Sequence, residues 1–253
     1  MPSLWPREHG ASLQLAFPVF SACALAGAAP AALLLGLAAV LAFIAHEPLL
    51  LLSGGRGARK REQARVPARR RLLLLGVLAL LAAAAAMWLA EGDAGWWLLL
   101  PGVLGAGAFG IALAGRERNV FAEVFVAVTL SSLALPIARV GGVSLASAAS
   151  LSGVWALGFG VATLAARALV VQKRDAGRGL RLALVGASLV GFALVGAAAA
   201  QLVSAHLAAA PLPLVLLAMI LGAFPPPPQR MTAVGFGMAA ASVVTCALAL
   251  TAL

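Results

Sequence analysis

Arg116, Asn119 and Glu123 stand at i, i+3 and i+7, a spacing that puts a cation, an amide and a carboxylate on one face of a helix that starts early enough to include all three. His46 and Glu47 are adjacent near the end of one long apolar run, Arg167 is near the end of another, and Arg7, Glu8 and His9 precede the first. An ionisable group at the centre of a bilayer costs about 2.5–3.5 kcal/mol on insertion scales, so such residues are the first to read as a site. The guanidinium groups of Arg7, Arg116, Arg118 and Arg167 suit an anionic headgroup. His46, Glu47, Asn119 and Glu123 would orient it, with Glu8 and His9 entering from the same side. In a reaction, His46 or Glu47 would carry a proton, which requires hydrogen-bond reach to the reacting group.

Each position also has a purely structural role open to it. Glu47 lies five residues before its apolar run ends, about 7.5 Å at the helical rise, and so is within reach of the interface. A carboxylate in a first helical turn, as at Glu123, gains roughly 0.3–1 kcal/mol from the helix dipole. Arg167 can snorkel, and His206 reads as an ordinary loop residue.

The elements that position these groups follow from composition. The chain is 63% hydrophobic and 10% charged, with a mean hydropathy of +1.04, which no water-soluble fold could bury. Breaks at charged or Pro/Gly-rich stretches divide it into nine spans of roughly bilayer length within a single integral membrane domain, residues 1–253. They are 11–28, 31–52, 72–90, 96–114, 120–138, 148–171, 180–200, 207–224 and 231–252. The expected class is therefore all-α and polytopic. Pro225 to Pro228 cannot continue a helix and read as a stiff connector before the last span. Arg7 is the only Lys or Arg ahead of the first apolar run and more membrane segments follow, so a transmembrane helix is expected there in place of a cleaved signal peptide.

With nine spans and a cytosolic N-terminus, 17 of the 18 Lys and Arg fall on the inner side and only Arg139 outside. That bias predicts a bacterial inner-membrane protein with its C-terminus outside. It also accounts for the net charge of +10 without nucleic acid as a partner. On the outer side Glu91 and Asp93 lie between Trp88 and the pair Trp96/Trp97, which read as interfacial anchors. Small residues, such as Gly102, Ala106 and Gly110 on the fourth span and Gly186 and Gly191 on the seventh, predict close helix approach. Cys23 and Cys246, far apart and without metal-ligand spacing, read as packing residues.

The basic stretch 53–71 reads as a loop that fixes topology and meets anionic lipid headgroups, with a phosphate-bearing substrate as the alternative. Gly54-Gly55-Arg56-Gly57 is no nucleotide loop, since neither the GxxxxGK[ST] pattern nor a strand-helix context accompanies it. No HExxH, Ser/His/Asp order or Cys/His metal set is present, and no metal or other cofactor is expected.

The opening Pro6-Arg7-Glu8-His9-Gly10-Ala11, followed by an apolar span, resembles the start of the YwiC-like family of bacterial membrane proteins. His46-Glu47-Pro48-Leu49 and the stretch from Arg118 to Glu123 are in keeping with it. The layout is also similar to the UbiA superfamily of intramembrane prenyltransferases, which implies a UbiA-like nine-helix bundle with polar cytosolic loops after the second and sixth helices. In that superfamily both loops carry Asp-rich motifs that hold a diphosphate through magnesium. Here the first place reads His46-Glu47-Pro48-Leu49-Leu50-Leu51 and the second offers only Asp175, a poor supply for two magnesium ions. If the fold is shared, the metal-dependent chemistry is expected to be lost or replaced by direct basic contacts to the anion.

The resulting expectation is a membrane protein with lipids as partners and an amphipathic or isoprenoid-type anionic ligand in a cytosol-facing cavity. Two alternatives stand beside it. A transporter or permease would use Glu47 and Glu123 as sites along its path, although no inverted repeat is visible. An assembly or scaffold factor would pair its embedded charges internally.

Overall fold

The computed structural model describes residues 9–55, 57–90, 92, 94–116, 119–171, 178–227 and 230–253, with only the backbone of residue 9. Among them the architecture is all-helical: α1 (His9–Leu25), α2 (Pro30–Leu52), α3 (Ala58–Leu89), a 3-10 turn (Ala94–Leu98), α4 (Leu99–Leu113), α5 (Val120–Ser132), α6 (Ala134–Val140), α7 (Leu145–Val171), α8 (Arg178–Ala199), α9 (Ala205–Ala209), α10 (Leu212–Ala223) and α11 (Met231–Ala252). Eight segments are long and apolar enough to cross a membrane, and Gly10–Leu25 is a shorter apolar helix. The chain is a polytopic membrane protein, and each of its nine apolar runs overlaps one of these segments.

In hydrocarbon no water is available to backbone groups, so a helix can break only where protein supplies partners. The fifth span breaks at Leu133, between α5 and α6. Pro136 brings no N–H to the carbonyl of Ser132, four residues earlier. The surrounding polar groups are satisfied internally: Thr129, Ser131 and Ser132 donate to the carbonyls of Phe125, Ala127 and Thr129 at 2.7, 2.8 and 2.7 Å. Ser152 of α7 donates to the Ser131 carbonyl at 3.2 Å. In the eighth span Pro211 and Pro213 fall where α9 gives way to α10.

The main core is built around Trp155 on α7, which is fully buried. Its ring stacks between Phe17 of α1 and Phe159, with centroids 5.6 and 5.1 Å away. Its indole N–H donates to Ser21 Oγ at 2.8 Å. The Ser21 hydroxyl in turn lies 2.7 Å from the Phe17 carbonyl and 3.2 Å from that of Pro18. Cys246 is buried in the same core, and Cys23 packs at its edge.

Three sequence expectations are corrected here. The basic stretch is not a loop from 53 to 71: helix α3 begins at Ala58, 14 residues before the expected span. Ala64 and Ala68 are buried and pack on Leu51 of α2, which gives the charged run one apolar face to dock. The connection narrows to Ser53–Gly57, where Gly54 (φ 91°) and Gly57 (φ 94°) supply left-handed backbone. Trp88 and Trp96 are exposed as anchors should be, but Trp97 turns inward against the core. The small residues that bring helices together also differ. Cβ atoms at Gly102 or Gly110 would meet nothing within 4 Å, while those at Gly186 and Gly191 would touch Leu164 and Val215 of neighbouring helices at 3.9 and 3.7 Å as expected. A closer approach is at Gly222 of α10, where a Cβ would lie 3.0 Å from Leu184 Cβ and 3.3 Å from its Cα on α8.

Replacing Ser21 by Ala strands a buried indole N–H, at a cost of about 1 kcal/mol in a bilayer protein. In the Trp155→Phe background the same substitution costs measurably less. Unfolding free energies of the four proteins in lipid, compared as a double-mutant cycle, measure the difference.

Candidate functional site

Helices alternate in direction along the chain, so the ends of α2, α4 and α7 meet the starts of α1, α3, α5 and α11 at one end of the bundle. A cavity of about 1620 Å³ extends inward from there, walled by α1, α2, α4, α5, α7 and α11 with Lys60 of α3 and Leu214 of α10. Among the described residues its ionisable lining groups are His46, Glu47, Lys60, Glu123 and Arg167, all close to those helix ends. Deeper, the wall is apolar, with Leu15, Ala39, Leu133, Phe159 and Leu214. Thr129 and Ser242 also line it, but their hydroxyls donate to the Phe125 and Met238 carbonyls of their own helices.

Glu123 and Arg167 are brought together from α5 and α7. Arg167 Nη1 is 3.3 Å from Glu123 Oε1, and the side chains are 31% exposed for Glu123 and 22% for Arg167. Both side chains are half-buried, neither enclosed nor fully exposed. Glu47 is 5% exposed, the most enclosed carboxylate among the described residues. His46 is half-buried and meets the edge of Phe109, centroids 6.2 Å apart, which links α2 to α4 across the cavity.

The proposed face of Arg116, Asn119 and Glu123 does not form. Gly115 adopts φ 68° and ends α4, with Arg116 N–H returning to the Ile111 carbonyl at 3.1 Å. Asn119 is the N-cap of α5, with extended backbone and a side-chain oxygen that accepts from Phe121 N–H at 3.1 Å. Arg116 and Asn119 are therefore exposed and outside the helix, and only Glu123 of the three lines the cavity. Arg7, Glu8, the His9 side chain, Arg118 and Asp175 lie outside the described residues. His206 is exposed on α9. Arg139, at the opposite end of the bundle, donates from Nη1 to the Val143 carbonyl at 2.8 Å.

Sequence reasoning missed Gln14, Thr163 and Lys60 in the cavity wall. Gln14 Nε2 donates to Thr163 Oγ1 at 2.8 Å, tying α1 to α7. Gln14 is the sole amide in the first apolar run and Thr163 the sole threonine in the sixth, a signal available before folding. Lys60 was counted with the loop charges, and only the helical start of α3 carries it to the cavity.

A family profile described as YwiC-like protein matches residues 5–139. The chain belongs to the YwiC-like family. The matched portion of this YwiC-like protein reaches from the N-terminal motif into α6 and includes Gln14, His46, Glu47 and Glu123, while Thr163 and Arg167 lie beyond it. Searches of curated proteins and of solved structures find no match, and the expected likeness to the UbiA superfamily is not shown.

Removing one charge of the Glu123–Arg167 pair should destabilise more than removing both. Glu123→Gln, Arg167→Gln and the double variant should give a coupling energy of about 0.5–2 kcal/mol in thermal or steric-trap unfolding.

Proposed function

We propose that this YwiC-like membrane protein binds an amphipathic, isoprenoid-type anionic ligand, with its charged head at the polar mouth of the cavity and its tail in the apolar depth. The carrying observation is the polarity gradient of that one cavity, from Lys60, Arg167, Glu123 and Glu47 at the helix ends to Leu15, Phe159 and Leu214 inside. Its volume of about 1620 Å³ exceeds the roughly 300–1000 Å³ of ordinary small-molecule sites, which leaves room for a long tail. Among the described residues, Arg167 and Lys60 are the cavity cations that would meet the head, and Gln14, His46 and the two glutamates are polar groups that would orient it.

Headgroup recognition in this reading is direct. Among the described residues no three of His, Cys, Asp and Glu come together in a metal-binding arrangement. The described carboxylates of the cavity are two, Glu47 and Glu123, one of them already beside Arg167. That donor set does not fit a pair of magnesium ions bridging a diphosphate. The apolar far half also favours a ligand with a tail over a solute crossing the membrane, which would need polar groups along its whole route.

The orientation proposed with this function places the polar mouth in the cytosol of a bacterial inner membrane, because the basic residues gather at that end. Single cysteines introduced at residues 53 and 63 into a protein with Cys23 and Cys246 replaced should resist impermeant thiol reagents in intact cells. A cysteine at residue 92 should react. The opposite pattern overturns the orientation.

The ligand is tested by extracting what co-purifies with the protein in mild detergent and identifying it by mass spectrometry. An anionic amphipath with an isoprenoid tail, enriched over bulk membrane lipid and reduced about tenfold in an Arg167→Ala protein of unchanged monodispersity, is the expected result. A water-soluble solute, or an Arg167-independent yield, would overturn the reading.

A further inference from the structure

The helical start of α3 creates a surface that a flexible basic loop would not have. Arg65, Arg69 and Arg70 line a groove of about 510 Å³ together with Val66 and Leu73. All three arginines are exposed, while Ala64 and Ala68 on the opposite face are locked against Leu51, so the groove is held on a docked helix. The same face continues past the last base: Val66, Arg70, Leu73, Val77, Leu80 and Leu81 recur at steps of three, four or one, and all six are exposed. One helical stripe thus passes from guanidinium groups to bare aliphatic side chains. At 1.5 Å per residue, Arg69 to Leu73 spans about 6 Å, so cation and hydrocarbon are within the reach of one lipid molecule.

We propose that this stripe is a binding site for an anionic glycerophospholipid of the surrounding bilayer. The phosphate sits among Arg65, Arg69 and Arg70, and an acyl chain lies along Leu73, Val77 and Leu80. Three guanidinium forks converging on one groove match a phosphate better than a zwitterionic headgroup, in which an ammonium would face the same cations. The apolar continuation selects a lipid over a soluble phosphate ester. None of the five groove residues lines the large cavity, so the site stands whether or not the ligand proposed there is correct.

The test uses the full-length protein in neutral detergent, titrated with phosphatidylglycerol or phosphatidylcholine and read by native mass spectrometry. Phosphatidylglycerol should be retained in preference to phosphatidylcholine. Arg69→Gln/Arg70→Gln should lower its retention at least about tenfold, given the strength of each base near a membrane surface. Arg59→Gln/Arg61→Gln, which removes equal charge from the same helix outside the groove, should change it less than about twofold. Val66→Glu leaves every base in place and should also reduce retention about tenfold by placing a carboxylate in the groove. Equal losses in the two arginine pairs would mean diffuse attraction and overturn the site. So would undiminished retention in Val66→Glu, or displacement of the lipid by equimolar glycerol 3-phosphate.

Discussion

Hydrocarbon offers no hydrogen bonds, and the rest of this structure depends on how the chain meets that constraint. Regular helices meet it by themselves. Proline breaks the fifth and eighth spans beside Pro136 and Pro211 and sits within α1 at Pro18, and all three prolines are buried. Hydroxyls then bridge neighbouring helices: Ser21 accepts from Trp155, and Ser152 reaches the Ser131 carbonyl beside the broken fifth span. Because Ser21 sits on α1 and Trp155 on α7, one bond that satisfies an indole also closes the bundle between segments 134 residues apart.

The same constraint sorts the charges. A carboxylate or guanidinium is affordable near a helix end and expensive at mid-depth, so the described ionisable groups cluster where helices begin and stop. Alternating helix direction then brings the ends of α2 and α7 beside the starts of α3 and α5. His46, Glu47, Lys60, Glu123 and Arg167 meet at one mouth although they span more than a hundred positions of sequence. The cavity's polarity gradient is therefore partly a consequence of solvation. Solvation alone does not require convergence on one volume, since charges scattered around the rim would satisfy it equally well, and the proposed function rests on that convergence.

The spans were legible because the bilayer sets a length scale of about 20 residues and the chain is interrupted at that interval. The choice between loop and helix in the basic stretch was not. Charge density suggested solvated loop, whereas Ala64 and Ala68, four residues apart, provide a narrow apolar edge whose partner, Leu51, belongs to another helix. Arg116 and Asn119 failed as site residues for a local reason: Asn119 caps α5, and capping holds Arg116 outside the helical register. Gln14–Thr163 was hidden for the opposite reason, as a contact across 149 positions that no periodicity encodes. Long apolar runs are read from one segment at a time; pairings between polar residues in different runs require the packing itself.

The Glu123–Arg167 pair shows how stability and site can be separated on magnitudes. An exposed ion pair contributes roughly 0–1 kcal/mol, and a fully buried one is often matched by apolar residues of similar volume. At 31% and 22% exposure the pair falls between those limits, so Leu or Met could join α5 to α7 about as well. What aliphatic packing could not supply is a guanidinium in the cavity wall whose charge is balanced while the cavity holds water or lipid. Glu123 lowers the cost of keeping Arg167 there, and it also competes with any anion that approaches. Affinity for such an anion is therefore the difference between two guanidinium–anion contacts, which makes the geometry of the second contact, more than the presence of positive charge, the source of selectivity.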